Sequence, residues 1–173
     1  TSWSRFLNPP AKLSAFQPNP DYGNGATRRR IVVRATPGRA WCGLTDSFHG
    51  MHVTLLHDGR VITLADQYQG KRLNSPNDVV VKSDGSIWFT DPDYGIIADY
   101  EGSRSTREQE GCHVYRIDPS SGEVSRVAHD FDHPNGLAFS RDERQLYIVD
   151  SGYTEGPDHP RHIRVFDVQA DGK

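Results

Sequence analysis

The amino-acid sequence predicts an all-β fold, and three observations support that prediction. Apolar and polar residues alternate with a period of two in most segments, which is typical of strands. The 173 residues include 16 glycines and 11 prolines, so turns are frequent, and no convincing amphipathic helix is present. A segment of about 50 residues recurs along the chain, which indicates a repeated structural unit.

The recurring segment begins with Pro-Asn and ends its second strand with Asp. The first copy, PNDVVVKSDGSIWFTD, occupies residues 76–91, and the second, PNGLAFSRDERQLYIVD, occupies residues 134–150. An alternating strand follows each copy, HVYRID from His113 and HIRVFD from His162. An earlier piece, HVTLLHDGRVITLAD at 52–66, has the same order of strand, Asp-Gly turn and strand.

The complete unit consists of four short strands, NDVVV, SIWFTD, HVYRID and EVSRVA, with a long insert at 92–111. Repeats of about 40–50 residues with four strands each are typical of β-propeller blades. We therefore expect residues 1–173 to form one partial β-propeller domain of roughly three blades. The third blade would lie before His52 and open near Asn24. The alternative is a β-sandwich with coincidental internal similarity.

Composition disfavours several classes of function and location. A net charge of -3 argues against nucleic acid as a partner, and the one basic cluster, at 28–34, fits a solvated loop or strand edge. No apolar run approaches the roughly 20 residues of a membrane span. Cys42 and Cys112 have no zinc-site or disulfide spacing, so we expect buried free thiols and a cytoplasmic protein.

The asparagines that follow the two repeated prolines are the candidate metal ligands. In a propeller the innermost strands line a central channel, so Asn77 and Asn135, at equivalent positions, would point at one spot. Amide and carboxylate oxygens suit Ca²⁺, Mg²⁺ or Mn²⁺. Two oxygens are too few for such an ion, and Asp78 offers the nearest carboxylate. The alternative is that both asparagines only form Asx-turns that start strands.

Two longer segments carry a resemblance to a known family. RLNSPNDVVVKSDGSIWFTDPDYGI and HPNGLAFSRDERQLYIVDSG resemble the gluconolactonase branch of the senescence-marker-protein-30/gluconolactonase/luciferin-regenerating-enzyme family, and the resemblance covers about residues 52–173. It implies a six-bladed propeller with a divalent metal in its channel. It also implies hydrolysis of lactones of sugar acids, with Ca²⁺ as the first candidate metal and Mg²⁺, Mn²⁺ or Zn²⁺ as alternatives.

The resemblance also implies roles for individual residues. Asn135 becomes a metal ligand, and Asn77 binds metal or substrate. Asp78 is a further possible ligand, and Arg72 lies close enough to the channel mouth to bind a polar substrate.

The family pattern is not complete, and the chain looks truncated beside it. The family's N-terminal glutamate, in a Glu-Gly-Pro context, has no match, because the only such sequence here lies in a late loop at 155–157. The family's later aspartate, a ligand and probable base, would fall beyond Lys173. Asp78 is then the candidate substitute base. Residues 28–52 also depart from the family pattern, through local divergence or a frame-shifted stretch.

Two functions of different classes follow. The first is a metal-dependent lactonase acting on a small-molecule sugar lactone such as gluconolactone, with a homodimer as one way to assemble a full channel. The second is an inactive propeller fragment or binding module that keeps part of the metal site. His133, beside the second Pro-Asn turn, is either a residue that supports the site or an ordinary loop residue. Trp41 and Trp88 are expected to pack in the core.

Overall fold

The computed structural model describes residues 30–33, 42–47, 50–57, 60–99 and 104–169, with side chains from residue 64 onward. The described strands are β1 (Arg30–Val33), β2 (Cys42–Ser47), β3 (Gly50–His57), β4 (Arg60–Ala65), β5 (Gln67–Tyr68), β6 (Lys71–Arg72), β7 (Val79–Val81), β8 (Ile87–Asp91), β9 (Cys112–Ile117), β10 (Val124–Phe131), β11 (Pro134–Phe139), β12 (Gln145–Asp150) and β13 (His162–Asp167). A one-turn helix, α1 (Tyr94–Ile97), and a 3-10 turn (Gly152–Glu155) complete the described elements.

The strands form antiparallel sheets of neighbouring elements. The orders are β1-β2-β3-β4, β7-β8-β9-β10 and β11-β12-β13, with β5 and β6 as a separate two-stranded ribbon. The prediction of an all-β fold is confirmed, as are the four strands of the repeated unit and the two strands of the segment at 52–66. Asn24 and the start of the chain lie outside the described residues.

The segment that departs from the family pattern also contributes strands. β1 and β2 pair from Arg30 opposite Thr45 to Val33 opposite Cys42, and among the described strands β1 is the outer one of its sheet. The basic cluster at 28–34 was expected to be a solvated loop or a strand edge. Its described residues, 30–33, form an outer strand, which fits the second interpretation. The helix α1 was not predicted from the sequence, and it lies in the insert between the second and third strands of the repeated unit.

Apolar clusters cover both faces of the sheet β7–β10. Because successive side chains along a strand point to opposite faces of the sheet, its apolar residues divide between two clusters. One cluster contains Ala65, Leu73, Val79, Ile87, Phe89, Tyr115 and Ile117. The other contains Trp88, Val114, Ala128, Phe131, Leu137, Leu146 and Ile148. Strand β8 is buried at all five positions because apolar groups cover both sides, which explains its unbroken apolar run.

Two expectations about single side chains are confirmed within the described residues. Trp88 is buried, packs edge-on against Phe139 and donates its indole N–H to Ser86 Oγ at 2.9 Å. Cys112 is a buried free thiol, and burial raises its pKa to about 12. Trp41 lies outside the described residues. Among the described helices, none has the length and apolar character needed to cross a membrane.

Candidate active site

The first Pro-Asn turn is held by the aspartate that ends strand β8. Asp91 accepts hydrogen bonds from the backbone N–H groups of Asn74 and Ser75, each at 2.9 Å and each to a different carboxylate oxygen. Pro76 follows this pair directly. The carboxylate therefore fixes the chain at the point where it enters the turn that carries Asn77.

The second Pro-Asn turn is held in the same way. Asp150, at the end of β12, accepts hydrogen bonds from the backbone N–H groups of Asp132 at 3.1 Å and His133 at 2.9 Å. Pro134 follows, and Asn135 comes next. In each copy, the aspartate that ends the second strand thus holds the Pro-Asn turn through backbone hydrogen bonds. We call these contacts of Asp91 and Asp150 the aspartate clamps. Sequence alignment of the two copies matched these aspartates but gave no reason for them.

The two clamped turns bring Asn77 and Asn135 together. The Asn77 Nδ2 donates to Asn135 Oδ1 at 2.5 Å, although the residues are 58 positions apart. Asn135 Nδ2 donates to Ser151 Oγ at 3.3 Å, which directs Asn135 Oδ1 toward Asn77. A half-turn of the Asn77 amide about χ2 would place both amide oxygens on this shared spot. The predicted convergence is present, and the role in metal binding stays a prediction.

The Asp78 carboxylate connects the two Pro-Asn segments, because it accepts backbone hydrogen bonds from both. Its Oδ1 accepts from Val79 N–H and its Oδ2 from Leu137 N–H, both at 2.9 Å. Because Leu137 lies on β11, this carboxylate links β11 to the start of β7. Thr90 strengthens the link, since its hydroxyl donates to the Asn135 carbonyl at 2.7 Å and accepts from Asp78 N–H at 3.1 Å. The catalytic role predicted for Asp78 stays a prediction.

Arg72 is engaged elsewhere. Its Nε lies 2.6 Å from Glu108 Oε1, and its backbone N–H donates to Glu108 Oε2 at 2.7 Å. The Arg72 and Glu108 side chains are 44 % and 39 % exposed, so this ion pair lies at the surface. Its predicted role in substrate binding stays a prediction.

His133 is a buried, paired side chain whose environment the sequence did not reveal. Its Nε2 lies 2.9 Å from Asp93 Oδ1, and its ring stacks on Tyr94 with centroids 5.1 Å apart. The hydrogen bond to Asp93 raises the pKa of His133, and the same bond lowers the pKa of Asp93. The only signal in the sequence was the position of His133 beside the Pro-Asn turn.

Comparisons with known proteins agree with this architecture. The family model described as SMP-30/Gluconolactonase/LRE-like region matches residues 14–173. The chain belongs to this family. It is 39 % identical over 88 residues to a gluconolactonase of Zymomonas mobilis subsp. mobilis, a match that covers 51 % of the chain and 24 % of that protein. It is 34 % identical over 94 residues to lactonohydrolase oryL of Aspergillus oryzae, covering 54 % and 21 %.

A solved structure extends the likeness to three dimensions. The gluconolactonase of Xanthomonas campestris superposes with a TM-score of 0.66 at 38 % sequence identity, covering 75 % of this chain and 41 % of that one. The chain spans about a quarter or less of the length of the two curated relatives and under half of the solved structure. The resemblance to the family inferred from the Pro-Asn segments is confirmed.

Proposed function

We propose that this protein is a metal-dependent lactonase on a β-propeller scaffold, and that it hydrolyses a sugar lactone such as gluconolactone to the aldonic acid. The observation that carries the proposal is the meeting of Asn77 and Asn135 across two separate sheets. Two relatives support lactone hydrolysis as the reaction class, since one is named a gluconolactonase and the other a lactonohydrolase. The stacked sheets, with β11 packed against β7 and β8, support the propeller.

Asn77 and Asn135 would hold the metal, with the orientation of Asn135 set by Ser151. Their oxygens are hard donors that fit Ca²⁺ first and Mg²⁺ or Mn²⁺ as alternatives, with Zn²⁺ less suited. Such an ion supplies Lewis-acid polarisation of a lactone carbonyl. Two amides fill only part of a Ca²⁺ shell of about six to eight oxygens, so the remaining ligands come from other groups.

Asp78 and Arg72 are the residues proposed to act on water and substrate. Asp78 would accept a proton from the attacking water, and each of its oxygens keeps a lone pair beside the backbone N–H bond it already accepts. Arg72 would donate from its guanidinium to hydroxyl groups of the lactone, in competition with Glu108. We also propose that the protein forms a homodimer, which size-exclusion chromatography with light scattering would test.

The experiment is an assay of gluconolactone hydrolysis with Ca²⁺, Mg²⁺, Mn²⁺ or Zn²⁺, and with a chelator. We expect turnover that the chelator abolishes. Asn135→Leu, which keeps the size but removes the amide, should lose it, whereas Asn135→Asp, which keeps an oxygen donor, should retain metal dependence. Turnover that survives the chelator would contradict the proposal.

A binding module without catalysis is the second candidate function. Its support is that both Asp78 oxygens already accept backbone N–H groups, which weakens the case for Asp78 as a base. Folded protein that binds Ca²⁺, loses this binding in Asn135→Leu and shows no turnover with any metal would favour this candidate over the lactonase.

A further inference from the structure

We propose that Asp93, Cys112 and His133 form a second metal site, separate from the asparagine pair, that takes a transition-metal cation of the Zn²⁺ type. The proposal does not depend on lactonase activity. It concerns a different donor set on different elements: Asp93 follows β8, Cys112 begins β9, and His133 precedes β11.

The distances among the three donors are close to those of a metal site. One ligand atom from each residue lies within 4.8 Å of the others, and His133 Nε2 and Asp93 Oδ1 are 2.9 Å apart. Zn²⁺ bond lengths of about 2.0–2.3 Å with tetrahedral angles need donors roughly 3.3–3.7 Å apart. A pair of donors at the 4.8 Å limit must approach by roughly 1.1–1.5 Å to reach that range, and rotation of both side chains can share this movement.

The three donor types favour Zn²⁺ over Ca²⁺ or Mg²⁺. A thiolate, an imidazole and a carboxylate are the donors that Zn²⁺ uses in proteins, whereas Ca²⁺ and Mg²⁺ take oxygen ligands. Cys112 is 3 % exposed and His133 is 7 % exposed, and the Asp93 side chain is 13 % exposed. On binding, the thiol loses its proton to water and the sulfur donates its electron pair to the metal.

A second carboxylate stands behind the histidine. His133 Nδ1 is buried and has no hydrogen-bond partner among the described residues, and Asp132 Oδ1 lies 3.6 Å from it. Metal-binding histidines commonly donate their other ring N–H to a carboxylate, which fixes the ring and its tautomer. With Nε2 bound to a metal, Nδ1 would carry the proton and face Asp132. A hydrogen bond to this carboxylate would then hold the His133 ring in position.

Arg107 contacts two of the three proposed ligands. Its Nη1 lies 3.3 Å from Asp93 Oδ2 and 3.9 Å from Cys112 Sγ, which places a positive charge where a metal cation would approach. The Arg107 side chain is 42 % exposed, so it can move into solvent. A cavity of about 520 Å³ lies beside the cluster and is lined by Asp93 and Arg107, although not by Cys112 or His133.

The test uses Co²⁺ as a spectroscopic substitute for Zn²⁺, added to the reduced, purified protein. We expect a thiolate-to-cobalt charge-transfer band that saturates with one Co²⁺ and disappears when Zn²⁺ displaces it. Cys112→Ser should abolish the band and weaken binding by roughly tenfold or more, whereas the matched control Cys42→Ser should keep it. Asp93→Asn, of the same shape, provides a second variant, with circular dichroism to confirm folding.

Two further variants separate a metal site from a structural ion pair. Asp132→Asn should weaken Co²⁺ binding by about 10–100-fold through the orientation of His133. Arg107→Gln should tighten binding several-fold, because it removes a competing positive charge. Asn135→Leu should leave the band unchanged, so failure of the lactonase proposal and failure of this one remain distinguishable.

Three results would overturn the proposal. The first is folded protein that gives no charge-transfer band with Co²⁺. The second is a band that persists in Cys112→Ser. The third is Co²⁺ binding that Arg107→Gln weakens.

Discussion

The sheet β7–β10 and the sheet β11–β13 share one sequence pattern but differ in burial. Asp91 pairs with His113 in the first, and Asp150 pairs with His162 at the same place in the second. One residue further on, Val114 is fully buried, whereas its counterpart Ile163 is 64 % exposed. Strand β10 borders β9, while no described strand borders the far side of β13. The repeated pattern therefore fixes local structure, and the neighbouring elements decide burial.

The largest effect should come from breaking either aspartate clamp. Asp91→Ala leaves two backbone N–H groups without their acceptor, and Asp150→Ala leaves three, since Asp150 also accepts from Gly152 N–H. We expect each change to lower the free energy of unfolding by about 3–5 kcal/mol. Urea denaturation measures it. The control is Asp142→Ala, an exposed aspartate, which should cost under about 1 kcal/mol. A loss at only one clamp would show that the two turns are not equivalent.

The clamp of the buried sheet should also respond to pH. Burial raises the pKa of Asp91 from 3.8 to about 8, against the opposing effect of its two backbone N–H donors. The folded state then holds a proton that the unfolded state has released, so stability should fall as pH rises from about 4 to about 8, by up to about 1.4 kcal/mol per pH unit.

Asp91→Asn, which has no proton to lose, is the reference for this pH dependence. The difference in unfolding free energy between wild type and Asp91→Asn, measured by urea denaturation across that range, isolates the effect of Asp91. Parallel pH profiles for the two proteins would contradict the raised pKa.

The burial contrast itself can be measured with a matched pair of truncations. Val114→Ala removes two fully buried methyl groups and should cost about 1.5–3 kcal/mol. Ile163→Ala removes a larger but mostly exposed group and should cost under about 0.5 kcal/mol. Equal costs would mean that in solution the face of β13 is covered by another part of the protein or by a second copy.

The smallest effect concerns a hydroxyl group in the first core cluster. Tyr115 is fully buried, and its hydroxyl has no hydrogen-bond partner among the described residues. Tyr115→Phe should therefore be neutral or stabilising by up to about 1 kcal/mol, because an unpaired buried hydroxyl carries a desolvation cost. Thermal unfolding of the two proteins tests this. A clear destabilisation would indicate a partner for the hydroxyl, such as a buried water.

The sequence predicted the strands from the period-two alternation of apolar and polar residues. It also predicted that Asn77 and Asn135 lie close together, because they occupy the same position in the two repeated segments. Partners that lie far along the chain were not predictable in this way. His133 pairs with Asp93 forty positions away, and Arg72 pairs with Glu108 thirty-six positions away. Such contacts depend on how sheets stack, which spacing within one strand does not encode.

We propose that the two Pro-Asn turns bring Asn77 and Asn135 together so that they share one divalent cation. The most direct measurement is the anomalous difference map of a crystal of the protein grown with Mn²⁺. We expect a peak within coordination distance of the side-chain oxygens of both residues, and we expect this peak to be absent in Asn135→Leu. A map without a peak there, with the Asn77–Asn135 hydrogen bond intact, would contradict it.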